Sequence, residues 1–170
     1  MAGVLPLQGS TRRPGSLEIT ITLREQGTRT MPQRAETAEH VGEWKVIVSG
    51  RTLEDVFEAT ARVIANAAGR TGDEAPAAWE SIDVSARDVR TLLVDWANEL
   101  LGRSEVTGLA YSEFRSVRVS QLPDGSTRAS AQLRGKRVTR WTSPLKAATY
   151  HALSLEKLEN EWRAEVLFDV

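Results

Sequence analysis

No cysteine occurs among the 170 residues. That excludes disulfides, thiolate metal sites and thiol nucleophiles, and it accords with a reducing cytosol. Histidine is nearly as scarce, with only His40 and His151, so a metal site would have to be built mainly from oxygen. Oxygen ligands favour Mg, Ca or Mn over Zn or Cu. Net charge is also lacking: Lys and Arg number 22 against 23 Asp and Glu, and no global pull toward nucleic acid is expected. No apolar run is long enough to cross a bilayer, and the N-terminus lacks the apolar stretch of a signal peptide. A cytoplasmic protein with no membrane partner is the expectation.

What is present is an ordinary apolar share of 41%, in a chain long enough for one domain with a core but short for two. Residues 1–35 read as an N-terminal extension, flexible or preceding the true start: polar and turn-rich around Arg12 and Pro14, with Met31 as a candidate initiator. Within it, residues 17–23 alternate apolar and polar at period two and can form a strand. A domain spanning residues 36–170 follows. Residues 44–49 are β-branched and bounded by Gly50, a strand and a turn. Thr52 and Asp55 have capping-box spacing ahead of a stripe of Leu53, Val56, Phe57, Ile64 and Ala67, and Gly69 ends that helix. Residues 70–77 read as a loop and 79–84 as a strand. Asp88 opens a second helix with Val89, Leu92, Leu93, Trp96 and Leu100 inward, closed by Gly102.

The remainder is strand-rich: residues 109–119, a reverse turn at Pro123-Asp124-Gly125, a return strand at 128–133, and a final hairpin of 149–155 and 161–168. So few helices among so many strands predict an α+β fold, two amphipathic helices on one face of a mostly antiparallel sheet. The last strand runs alternating into Asp169 and Val170, where a carboxylate beside the α-carboxylate can gather oxygen ligands at a sheet edge. The other reading is a solvated strand end. Charge is uneven here: from Gly125 to Leu155 there is no acid, while Arg128, Arg134, Lys136, Arg137, Arg140 and Lys146 are basic. Such a run is either a solvated hairpin or a face for an acidic or phosphate-bearing partner. Trp141, between Arg140 and Lys146, is the tryptophan suited to contact a partner, whereas Trp44, Trp96 and Trp162 suit the core.

Several segments together resemble the archease family, whose members activate an RtcB-type RNA ligase. They are Glu39-His40-Val41-Gly42-Glu43 before the first long strand, the helix opening at residues 50–57, the helix at 92–101, Lys146-Ala147-Ala148-Thr149-Tyr150-His151-Ala152-Leu153, and the terminal Val166-Leu167-Phe168-Asp169-Val170. The resemblance covers about residues 36–170. It implies a strand-helix-strand-strand (SHS2-like) module elaborated into one α+β domain. It implies an accessory protein, not an enzyme, which promotes guanylylation and turnover of the ligase in tRNA splicing or RNA repair.

It further implies a divalent metal, Ca or Mg with Mn as a third option, held by Glu43 and Asp169 with Val170 and with His40 at the start of the signature. Lys146 carries over as a partner-contact residue, and Arg140 and Trp141 lie on the same basic stretch. Val41 stands where the family has Thr, and Ser143-Pro144-Leu145 where it often has Thr-Glu-Val; the proline removes a ladder donor and a carboxylate. From the residues alone, Glu43 and Asp169 can share an ion only if the first and last strands end side by side; otherwise each is separately solvated. Lys146 either faces a phosphate-bearing partner or neutralises one of these carboxylates. Two other functions fit less of the chain. One is an RNA-binding module built on residues 128–146, with at most indirect RNA contact in the activator reading. The other is a metal-dependent hydrolase on Glu43, Asp169 and His40, which lacks a clear base or nucleophile.

Overall fold

The computed structural model describes residues 17–22 and 42–170. His40, Val41 and Met31 lie outside the described residues, as do residues 1–16 and the rest of 23–41. The chain order is β1 (Leu17–Thr22), β2 (Glu43–Gly50), α1 (Leu53–Ala68), β3 (Gly69–Thr71), β4 (Glu80–Ala86), α2 (Val89–Thr107), β5 (Leu109–Gln121), β6 (Thr127–Trp141), β7 (Ala147–Lys157) and β8 (Trp162–Asp169). The fold is α+β, as the pattern predicts, but the strands divide into two sheets. The first has the order β1-β2-β8-β7, with β1 parallel to β2 and the other pairs antiparallel. In the second, β6 is the spine: β5 pairs with it along most of its length, β4 at Thr127–Leu133 and β3 near its end.

The helices form where local signals are strongest. Thr52 and Asp55 make the reciprocal capping box, with Asp55 N–H donating to Thr52 Oγ1 at 3.1 Å and Thr52 N–H to Asp55 Oδ2 at 2.9 Å. Asp88 caps α2, its Oδ1 accepting from Thr91 N–H at 2.8 Å. Gly102 does not close α2. The helix continues through it to Thr107 and ends at Gly108, whose φ of 69° only glycine adopts without strain. Nothing lies within 4 Å of a Cβ built at Gly102, so it is an exposed interior glycine rather than a stop signal.

The helices pack between the two sheets' apolar faces, α1 chiefly on β5 and β2, α2 on β7 and β4. Phe57 and Trp96 meet edge to face with centroids 5.9 Å apart, and the buried indole nitrogen donates to Phe57 O at 3.2 Å. Val46, Val48, Ala164, Val166 and Phe168 supply the sheet side of this core. Burial at about 25 cal/mol per Å² of apolar surface outweighs the exposed ion pairs as a source of stability.

Other boundaries differ for tertiary reasons. Residues 70–77 are not all loop, because Gly69–Thr71 adds onto the far end of β6. That end exists because β6 runs well past Leu133, to Trp141. Pro144 falls in the connection 142–146 between β6 and β7, so it costs no ladder bond.

Strict alternation puts one of Tyr150 and His151 on the core side, yet both are exposed. The β7–β8 register shifts between Thr149 and Ser154, with Ala152 at φ 48°. The bulge turns both side chains outward, so His151 is not the buried structural histidine that its position suggests.

Candidate functional site

Strands β2 and β8 do end side by side. Their antiparallel register runs from Gly50↔Trp162 to Glu43↔Asp169. Directly opposed residues on such a ladder project from the same face, their Cα atoms about 4.5–5.5 Å apart. Glu43 and Asp169 are exposed, and among the described residues neither has an ion-pair partner. The alternation that puts them outside puts Trp44, Val46, Val166 and Phe168 against the core, which is what fixes the backbone beneath the two carboxylates. Val170 continues this order, its side chain partly buried against the core.

The third strand brings in Lys146. Asp169 also pairs with Ala147 on β7, and Lys146 N–H donates to Asp169 O at 2.8 Å. The Lys146 ammonium donates to the backbone oxygen of Val170 at 2.9 Å. It is thus directed at the strand end, and among the described residues it makes no ion pair with either carboxylate. The arrangement is two unpaired carboxylates opposed across one ladder rung, with an exposed ammonium at the end of the same three-strand row.

This donor set suits a hard divalent cation, which accepts carboxylate and backbone oxygens and retains water in its remaining positions. Glu43 and Asp169 are the carboxylates present to hold one; the Val170 oxygen at the strand end is a third donor, already accepting from Lys146. No group of three or more His, Cys, Asp or Glu side chains with metal-binding geometry occurs among the described residues, so the protein's share of the ligands is small. His40 lies outside the described residues.

Arg140 and Trp141 are placed elsewhere. They sit at the end of β6 opposite Arg70 and Gly69 of β3, in the second sheet. Trp141 is 44% exposed, and no described contact joins it or Arg140 to Glu43, Lys146 or Asp169. The basic run 128–146 is likewise not one patch: Arg128 pairs with Asp83 and Arg134 with Glu113, while Lys146 belongs to the other sheet.

Two groups escape a linear reading. Asn98 on α2 donates to Ala148 O at 3.0 Å and accepts from Ala148 N–H at 2.7 Å, replacing a strand on the edge of β7 behind Lys146. Asp95, one turn earlier, accepts from the Tyr150 hydroxyl at 2.5 Å, a bond that raises the phenol's pKa. The i, i+4 spacing of Asp95 and Glu99 reads as a solvated face. The face is solvated at Glu99, which pairs with Arg103 at 2.6 Å, while Asp95 also fastens the β7 bulge. A polar helix residue facing a strand edge was the signal, and it becomes readable only once the edge is known.

Residues 36–170 match the Archease protein family (MTH1598/TM1083). Protein archease of Methanosarcina acetivorans is 30% identical over 142 residues, covering 81% of this chain and 97% of that protein. Protein archease of Methanosarcina barkeri is 32% identical over 143 residues, covering 79% and 94%. The solution structure of Methanobacterium thermoautotrophicum protein 1598 superposes with a TM-score of 0.65 at 21% identity, over 78% of this chain and 96% of that one; it supports the fold. With a family match over four-fifths of its length, this chain belongs to the archease family.

Proposed function

We propose that the protein is an accessory factor that activates an RtcB-type RNA ligase, promoting its guanylylation and turnover in cytoplasmic tRNA splicing or RNA repair. The observation that carries the reading is the opposed, unpaired Glu43–Asp169 rung with Lys146 at its end, in a chain of this family. On this reading, which rests on the family match, the protein modifies another protein's chemistry and has no turnover of its own. Glu43, Asp169 and Val170 would hold a divalent ion, Ca or Mg before Mn; the family signature adds His40, which lies outside the described residues. The ion would supply fixed positive charge, and Lys146 adds a second charge beside it. Fixed cations of this kind favour phosphoryl groups in transfer. Arg140 and Trp141 would serve only as a peripheral partner contact, since they sit on the other sheet.

The test is single-turnover guanylylation of the cognate ligase with GTP and Mn, with and without this protein. Acceleration by the wild-type chain, lost in Lys146→Ala at unchanged melting temperature and metal affinity, is the expected outcome. No acceleration by the wild-type chain defeats the proposal. An RNA-binding function centred on residues 128–146 is not favoured, because that segment is divided between two sheets and two ion pairs.

A further inference from the structure

The face of the second sheet turned away from the helices is open. Alternation puts Ile82, Ala129, Ala131 and Leu133 into the core. The residues between them point outward: Ser81 and Asp83 on β4, Ser130, Gln132 and Arg134 on β6, Glu113 and Arg115 on β5. Both carboxylates on this face are already held. Arg128 binds Asp83 through two nitrogens, holding its carboxyl below the usual range, and Arg134 binds Glu113 at 2.7 Å. Among the described residues Arg115 and Arg118 have no carboxylate partner. Trp79, at the head of β4, carries two guanidinium groups, Arg115 at 4.2 Å and Arg134 at 4.6 Å from its ring centroid.

Arg118 reaches this face only through a defect in the strand. Residues three apart on a regular strand point to opposite faces. Here the register shifts between Arg115, opposite Gln132, and Arg118, opposite Ser130, and both partners face outward. The shift contains Ser116 at φ 55°, a left-handed conformation that is strained for a non-glycine residue. Bulges of this kind re-aim side chains. The result is two arginines without a carboxylate partner among the described residues, Arg115 resting on Trp79, about 7 Å apart along the sheet, the scale of successive phosphates in an extended strand of nucleic acid.

We propose that this face binds single-stranded RNA, with Arg115 and Arg118 on consecutive phosphates and the Trp79–guanidinium layer as the platform on which a base stacks. Ser81 and Gln132, bonded to each other at 2.7 Å, lie between as hydroxyl and amide groups for ribose. This surface is separate from the Glu43–Asp169 row, and the proposal does not depend on the ligase. An acidic segment of a partner protein would satisfy the arginines but leave the stacking layer unused.

The experiment is fluorescence anisotropy of the full chain with a labelled oligouridine of about twelve nucleotides, inside the range such surfaces cover. The wild-type chain should bind. Arg115→Ala and Arg118→Ala should each weaken binding several-fold and lower the salt slope by about 0.7 per lost phosphate contact. Trp79→Ala should weaken binding with the salt slope kept. Ser116→Gly, which keeps the bulge and relieves it, should bind as wild type, as should Lys146→Ala. Arg118 is exposed, so its variant should melt as wild type, while Arg115→Ala, which also gives up the stacking on Trp79, should melt no lower than Trp79→Ala. The proposal is overturned by absence of wild-type binding, by unchanged affinity and slope in both arginine variants, by equal affinity for oligothymidine, or by equally effective competition from polyglutamate.

Discussion

At the scale of the residue, position on a ladder decides what a carboxylate does. Asp83 and Asp169 are both exposed strand aspartates, yet one is clasped by an arginine and the other faces a second acid. Two unpaired acids on one rung repel each other, and a cation relieves that repulsion. Removing one should therefore abolish divalent binding while costing nothing in stability: Asp169→Ala, titrated calorimetrically with Ca and Mg, should show no binding heat at wild-type melting temperature. Unchanged affinity would separate the two carboxylates. Asp88 shows the opposite use of a carboxylate. Its pKa is lowered chiefly by the Thr91 backbone N–H that it accepts, so its stabilising contribution is complete above the unfolded value near pH 4 and is lost as pH falls through the lower folded value. Asp88→Ala should cost about 1 kcal/mol at neutral pH, roughly 2–4 °C in melting temperature. The charge-dependent part of the deficit should disappear in acid, so that wild type and variant melt closer together; a deficit as large at about pH 2 as at neutral pH would mean that the carboxylate charge contributes nothing.

At the scale of the element, what could be read from the sequence was what is local. The Thr52–Asp55 box and the Asp88 cap are decided within one turn, and so were legible, as was the alternation that carries β8 into Asp169. The end of α2 was not, because an exposed Gly102 and a terminal Gly108 look alike until the space around them is known. The two bulges were not legible either, since a register shift is a relation to a partner strand. The Glu43–Asp169 rung was legible only as a condition, that two strands end together; the ladder meets it. Asn98 belongs with the hidden features. By bonding both the N–H and the C=O of Ala148 it lets α2 close the edge of β7 without a further strand. Asn98→Ala leaves two part-buried backbone groups unsatisfied, at about 1 kcal/mol each, the low end for groups that water partly reaches. The expected outcome is a melting temperature lower by roughly 4–8 °C and faster hydrogen exchange at the Ala148 amide. Asn98→Asp, which still accepts from that amide, should protect it. Exchange that is equally fast in both variants would assign the closure to packing alone.

At the scale of the whole molecule, the first sheet begins upstream of the segment shared with the family. Polar composition and the methionine at position 31 suggest that residues 1–30 are dispensable, yet β1 lies parallel to β2 over its full length, Leu17 opposite Trp44 and Thr22 opposite Ser49. The strand β2 is thereby interior: it has β1 on one side and β8 on the other, and it carries Glu43 at its first position. A chain starting at Met31 lacks β1 and leaves one edge of β2 as a row of unpaired backbone donors and acceptors, a template for association. If β1 contributes to the sheet, that truncated chain should melt more than about 5 °C below the full chain, somewhat over 1 kcal/mol for a domain of this size, and it should associate at concentrations where the full chain does not. Divalent affinity should fall with it, because Glu43 would then lie on a loosened edge strand rather than an interior one. Equal melting temperatures would return β1 to the status of a dispensable extension. A lower melting temperature with unchanged metal affinity would show that the pairing with β8 alone holds Glu43 in place.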